Sequence, residues 1–139
     1  MNSVARGPML VVDASCLYEV VADTAVSEPI RTLLAADPDH AAPHLIDAEV
    51  LGVIRRHHQN GALDPTAAAQ AVDDLADWPG ERYGHRSLLT RAWDLRETVR
   101  SWDALYVALA EALDATLVTT DARLARALGP RCSIEVVDT

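Results

Sequence analysis

The sequence predicts an α/β fold: a central, short, mostly parallel sheet of four or five strands, covered by six or seven helices on its two faces. Two observations predict it. Strand-like and helix-like segments alternate along the whole chain, which is the order of a β–α–β protein. The strand-like runs are short and apolar without alternation, as in Met9–Val12 (MLVV), which suits strands buried on both faces. The 139 residues fit a single domain, 1–139. A chain of this size buries roughly two-thirds of its unfolded surface and needs no staples.

Met9–Val12 ends at Asp13 and reads as the first strand. Ala14–Val21 follows as a short helix, with Leu17, Val20 and Val21 at helical spacing. Glu28–Ala36 gives a second helix through Ile30, Leu33 and Leu34, stopped by Asp37-Pro38. Pro43–Ile46 is the expected second strand. Asp47 is a good N-cap for the helix behind it, whose face is Val50, Leu51, Val53 and Ile54. Asn60-Gly61 closes that helix. Asp64-Pro65 opens the next in N-cap, N1 order, with Ala68, Ala71, Val72 and Leu75 on one face, and Trp78-Pro79-Gly80 ends it. Glu81–His85 reads as a short polar strand. Leu88–Val99 is helical, with Leu88, Leu89, Ala92, Trp93 and Leu95 inward. Ser101 caps Trp102–Leu113, a segment apolar nearly all round and therefore assigned to the core. Ala115–Thr119 is a strand rich in β-branched residues. Asp121 caps Ala122–Leu128, Gly129-Pro130 stops that helix, and Ser133–Val137 is the last strand.

Composition narrows the function. Half of the residues are hydrophobic and 24% are charged, a globular balance rather than a disordered one. The net charge of −9 excludes a generically basic nucleic-acid coat and a polybasic membrane binder. All 12 cations are arginine. The absence of lysine removes the P-loop, the Schiff base and the Ser-Lys dyad. The longest stretch without a charge, Pro65–Val72, is far short of the about 20 apolar residues of a membrane span. Met1–Leu10 lacks the apolar core of a signal peptide. Cys16 and Cys132 lie far apart without metal spacing, so a cytoplasmic protein with reduced thiols is expected.

Four acids stand out by position. Asp13 ends the first strand. Glu49 sits in the first turn of the helix after the second. Asp103 sits in the first turn of the apolar helix, and Asp121 follows the strand Ala115–Thr119. Strand carboxyl ends and neighbouring helix N-termini lie along one edge of a parallel sheet, where ligands of open α/β sheets bind. The four could therefore converge on one cleft. Each also suits an ordinary role: Asp13 and Asp121 as N-caps, Glu49 and Asp103 as first-turn acids favoured by the helix dipole. The neighbours favour more than capping, because Asp13 follows MLVV and Asp103 opens Ala104–Ala110. A desolvated carboxylate must neutralise, pair or hold a metal. Clustered oxygen ligands suit Mg²⁺ or Mn²⁺.

The motifs resemble those of PIN-domain proteins. MLVVDAS, with Asp13 and Ser15, resembles the opening motif, and IDAEVLGVIRR, with Glu49, the second. SWDALYVALAEAL, with Asp103, resembles the third very closely, and LVTTDARLARAL, with Thr119 and Asp121, the fourth. Order, spacing and total length are similar to the VapC toxins of toxin–antitoxin pairs, over essentially the whole chain. The resemblance implies a PIN-like three-layer fold and an Mg²⁺- or Mn²⁺-dependent endoribonuclease leaving 5′-phosphate and 3′-hydroxyl ends. It implies that Asp13, Glu49, Asp103 and Asp121 are the catalytic and metal-binding acids, with Ser15 and Thr119 as auxiliary hydroxyls. It also implies a homodimer silenced by a cognate VapB-like antitoxin. That antitoxin's C-terminal segment wraps the toxin and its N-terminal domain binds the operon's DNA, so the toxin meets DNA only indirectly.

The chemistry suits the implied reaction. Phosphodiester hydrolysis needs a nucleophilic water and a counter-charge for the transition state, and a divalent metal supplies both. On an acidic chain, further attraction for RNA must come from local arginines. Arg55, Arg56, Arg82, Arg86, Arg100 and Arg123 are the candidates, each equally suited to a solvated helix face.

Rival readings are weaker. His57-His58 and the His40/His44 pair invite zinc, but no cysteine accompanies them and adjacent helical histidines point about 100° apart. Cys16 suits packing better than nucleophilic attack. Trp78, Trp93 and Trp102 could stack on bases. Trp93 shares the Leu88/Leu89 face and is expected to pack in the core, and Trp102 precedes Asp103 and could border the cleft. Exposed apolar helix faces could serve a dimer. A phospho-receiver would need a lysine, and a haloacid-dehalogenase phosphatase would need Asp-x-Asp where this chain has Asp13-Ala14-Ser15. The remaining rival is a catalytically silent PIN-fold module that scaffolds an RNA or protein complex.

Overall fold

The computed structural model describes residues 9–138. Most of the segment read as lacking a signal peptide, residues 1–8, lies outside that range. Five strands form one sheet among the described residues: β1 (Leu10–Val12), β2 (His40–Pro43), β3 (Glu81–Tyr83), β4 (Thr116–Thr119) and β5 (Ile134–Val136). Their order is β3-β2-β1-β4-β5 and every pairing is parallel. β1 lies at the centre, with Val11 opposite Ala41 on one side and Leu117 on the other. Val11, Val12, Leu117 and Val118 are fully buried, as the unalternated apolar runs require.

Among the described residues seven α-helices connect the strands: α1 (Ala14–Val21), α2 (Ser27–Ala35), α3 (Leu45–Gln59), α4 (Pro65–Asp77), α5 (Leu89–Asp94), α6 (Ser101–Leu113) and α7 (Ala122–Arg126). Right-handed crossovers put α1–α4 on one face of the sheet and α5–α7 on the other. Packing agrees. α1 lies against α2, α3 and α4, whereas α6 lies against α5 and across β1, β2 and β4. The result is the expected three layers. α6 is the core helix, with Ala104, Tyr106, Val107, Ala108, Leu109 and Ala110 buried. None of the helices among the described residues is long and apolar enough to cross a membrane.

Several expected elements shift. The second strand is His40–Pro43 rather than Pro43–Ile46. Ala41 and Ala42 have little strand propensity of their own; pairing on both sides, with β1 and β3, makes them a strand. α3 consequently starts earlier, at Leu45, with His44 at its cap position. Asp47 is therefore a first-turn acid rather than the cap. It is bound by Arg82, whose Nη2 lies 2.9 Å from its Oδ1. Leu88–Val99 is not one helix but a 3₁₀ turn, Arg86–Leu88, the short α5 and a set of turns. Leu88, Leu95 and Val99 face the core, while Leu89 and Trp93 are 54% and 65% exposed. Leu51 and Val72 also face outward. Ser101 is the first residue of α6, and the extended Arg100 holds the cap position. α7 ends at Arg126, two residues before its expected end. Asp64 caps α4 as expected, accepting from Ala67 N–H with Pro65 in the first turn.

Candidate active site

The chain lays down β1, β2 and β3 in one direction across the sheet, then β4 and β5 in the other. The topological switch point is thus the crevice beyond the carboxyl ends of β1 and β4. Asp13 follows β1 there, its N–H donating to Val118 O at 2.9 Å. Thr119 ends β4, and Asp121 follows two residues later. Parallel pairing of two short strands therefore brings together acids 108 positions apart (121 − 13).

Asp13 is buried, and two hydroxyls hold it. Thr119 Oγ1 donates to its Oδ2 at 2.6 Å and Ser15 Oγ at 3.3 Å. Each hydroxyl also accepts a backbone N–H from the segment after β4: Asp121 N–H to Thr119 Oγ1 at 3.1 Å, and Thr120 N–H to Ser15 Oγ at 3.4 Å. The two expected auxiliary residues thus tie the β4–α7 loop to the Asp13 carboxylate. Burial raises the Asp13 carboxyl above its ordinary range and the Asp103 charge raises it further, against the hydroxyl bonds.

Glu49 lies one turn further along α3 than expected, because the helix starts at Leu45. It is half-buried and accepts from the Tyr106 hydroxyl at 2.7 Å. Burial raises its carboxyl, and the charges of Asp13 and Asp103 add to the shift. Asp103 stands in the first turn of α6, where Arg100 Nε and Nη2 both approach its Oδ2 at 3.3 Å. Asp121 caps α7 through Arg123 N–H at 2.9 Å and pairs with Arg123 Nε at 3.4 Å. Burial pushes its carboxyl up, but the Arg123 bonds outweigh burial and hold it below its ordinary range.

Asp103, Asp121, Arg100 and Arg123 line one cleft of about 220 Å³. Asp13 and Glu49 join this group through the charge interactions that couple both of them to Asp103. Among the described residues no three His, Cys, Asp or Glu side chains are drawn tightly enough together to enclose one ion. The donor set still fits a hard divalent cation. It is all carboxylate oxygen, the Asp103 charge raises the carboxyls of both Asp13 and Glu49, and the partners of Asp13 Oδ2 are hydroxyls rather than a cation.

The other candidates separate clearly. Arg100 and Arg123 are at the cleft. Arg55 and Arg56 are exposed on α3, six and seven residues past Glu49, so about 9–10 Å further along the helix. Arg86 is exposed at the 3₁₀ turn. Arg82 is committed inward, donating to the carbonyls of Leu75, Trp78 and Gly80 as well as to Asp47, and stacking on Trp78. Trp93, expected in the core, is exposed and stacks with Arg96. Trp102 is 55% exposed beside Leu45 and His85 rather than in the cleft. The histidines hold local contacts: His57 with Tyr18, His58 with Leu63 O, His40 with Leu34 O and His85 with Leu45 N–H. Cys16 is buried, and burial, with Asp13 adding, pushes its thiol up to about 12, which makes it a packing residue. Sequence reasoning missed Tyr106 by counting it with the apolar face of α6. Its position three residues after Asp103 was the available signal, since such residues share a helix face.

The PIN-domain family profile matches residues 10–129, which include all four acids. The chain is 44% identical over 119 residues to Ribonuclease VapC3 of Mycobacterium tuberculosis, covering 85% of this chain and 86% of that one. Ribonuclease VapC1 of the same organism is 40% identical over 128 residues, covering 91% and 96%. This chain belongs to the VapC family of PIN-domain proteins. Solved structures share the fold of this VapC-family chain at low identity. VapBC2 from Rickettsia felis, bound to a DNA fragment from its promoter, aligns with a TM-score of 0.66 at 19% identity, covering 94% of this chain and 99% of that one. A toxin–antitoxin complex from Klebsiella pneumoniae aligns with a TM-score of 0.66 at 16% identity, covering 91% and 96%. The PIN-like architecture expected from the motifs is thus the observed one.

Proposed function

We propose that this VapC-family chain is an endoribonuclease that hydrolyses RNA phosphodiester bonds, the toxin of a VapBC pair. The observation that carries the reading is the Asp13 carboxylate, buried at the topological switch point, pinned by Thr119 and Ser15 and coupled by charge to Glu49 and Asp103. The family match and the ribonuclease relatives support it. Asp13, Glu49, Asp103 and Asp121 are the proposed catalytic acids and the proposed holders of Mg²⁺ or Mn²⁺. Such an ion, when bound by these acids, would polarise the phosphoryl oxygen and lower the pKa of a water. The chain's own groups supply the rest. Thr119 and Ser15 fix the direction of Asp13. Glu49 brings a carboxylate to the site from α3, held by the Tyr106 hydroxyl at 2.7 Å. Arg100 and Arg123 line the cleft on exposed side chains and are suited to take phosphate oxygens; Arg55, Arg56 and Arg86 are outer candidates along the RNA path.

The proposed partners are an RNA substrate, a second copy of the chain and a cognate VapB-like antitoxin through which DNA is reached. The net charge of −9 suits a basic antitoxin segment. We place the protein in the cytoplasm as a single PIN domain, with its two cysteines free.

The test is cleavage of total cellular RNA by purified, antitoxin-free protein with Mn²⁺ or Mg²⁺, beside an EDTA control and Asp103→Asn. Discrete fragments that vanish in both controls are expected. Silence in every lane would favour the scaffolding module instead.

A further inference from the structure

Tyr106 is the largest fully buried side chain among the described residues, yet it carries a hydroxyl into the core helix. That hydroxyl donates to Glu49 Oε1 at 2.7 Å. The two residues come from opposite layers, Glu49 from α3 and Tyr106 from α6, so their bond crosses the carboxyl edge of the sheet beside the acidic site. Tyr106 stands one turn after Asp103 on α6, so one helix face presents both an acid of the site and the donor that holds another.

A phenylalanine would fill the same space, so packing does not explain the hydroxyl. A glutamate on a helix has three side-chain torsions and swings freely unless something fixes its carboxylate. We propose that Tyr106 is a positioning residue, which locks the Glu49 carboxylate toward Asp13 and Asp103 and so completes the acidic site from the opposite helical layer. This rests on the nuclease reading above. Asp13 is oriented by hydroxyls from its own turn and from β4, and Tyr106 gives Glu49 the same kind of support from α6.

The alternative is that Glu49 merely satisfies a buried phenol. A double-mutant cycle separates the two, using wild type, Tyr106→Phe, Glu49→Gln and the double variant, each followed by Mn²⁺ titration calorimetry and by kcat and KM on RNA. Removing an orienting partner of this kind costs about 10-fold in metal affinity or activity, sometimes more. Tyr106→Phe is expected to weaken Mn²⁺ binding and lower kcat at saturating Mn²⁺ by about that factor, with KM for RNA unchanged. In the Glu49→Gln background it should add nothing. Wild-type affinity and turnover in Tyr106→Phe would overturn the proposal alone. So would a loss that persists undiminished in the Glu49→Gln background. A wild type that neither binds Mn²⁺ nor cuts RNA would overturn the nuclease reading and this proposal with it.

Discussion

Thr119 and Asp13 show most directly how single side chains set the site. The Thr119 hydroxyl donates to a buried carboxylate and accepts Asp121 N–H, so one oxygen fixes one acid and the backbone of another. Thr119→Val keeps the shape and removes both bonds. It is expected to lower kcat about 10–100-fold, as loss of an orienting partner does, and to cost about 1–3 kcal/mol in urea unfolding, because a buried acceptor is left short of a donor. Asp13 carries the opposite sign. Its carboxyl is raised in the folded chain, first by burial and then by Asp103, so the folded state binds the proton more tightly than the unfolded one. Stability from this group is greatest below the ordinary value of 3.8 and is lost as pH rises through the raised one. Glu49 is raised in the same direction and adds to the loss. In EDTA, Asp13→Asn should therefore unfold at a higher temperature than wild type at pH 7, and the two melting curves should converge in acid. A variant less stable than wild type at pH 7 would mean that the hydroxyl bonds to Asp13 outweigh its burial.

Secondary-structure elements were readable where chemistry marks their ends. Asp64-Pro65 opened α4 and Asp121 opened α7 as expected, because an acid in a cap and a proline in the first turn act locally. β2 carries no such mark, because its middle is Ala41-Ala42, whose strand state comes from the neighbours on either side. With β2 ending at Pro43, α3 starts at Leu45, which makes Asp47 a first-turn acid and sets Glu49 one turn further along the helix than its spacing predicts. Leu88–Val99 differs for a related reason: its leucines and tryptophan fit helical spacing, but the chain bends after Asp94 and only one side meets the core. Arg82 shows the structural demand hidden in such a junction. It joins the end of α4 to the first turn of α3 by bonding three carbonyls and Asp47. Arg82→Met is expected to cost about 1.5–3 kcal/mol, the range for hydrogen bonds to a charged group, while leaving RNA affinity at the wild-type level. Weaker RNA binding in a fully folded Arg82→Met protein would return this arginine to the substrate path.

At the scale of the molecule, the sheet order decides where four scattered acids go, and the charge distribution decides how RNA reaches them. The strand–acid junctions at Asp13 and Asp121 announced the switch point in the sequence, since two buried strands ending in acids must present them at one edge. Which arginines face that edge was not readable, because it depends on loop geometry: Arg100 and Arg123 do, whereas Arg82 turns inward. A chain with a net charge of −9 repels RNA at long range, so its salt dependence should report only the few local cations at the cleft. Each phosphate neutralised on a single strand contributes about −0.7 to the slope of log affinity against log salt. Two cleft arginines therefore predict a slope of about −1.4 for single-stranded RNA, measured by fluorescence anisotropy with the Asp13→Asn protein, in which cleavage is expected to be lost. Arg123→Gln in that background should bring the slope to about −0.7. A much steeper slope that Arg123→Gln leaves unchanged would mean that RNA is gripped elsewhere, along the exposed Arg55, Arg56 and Arg86, with the cleft arginines remaining on Asp103 and Asp121.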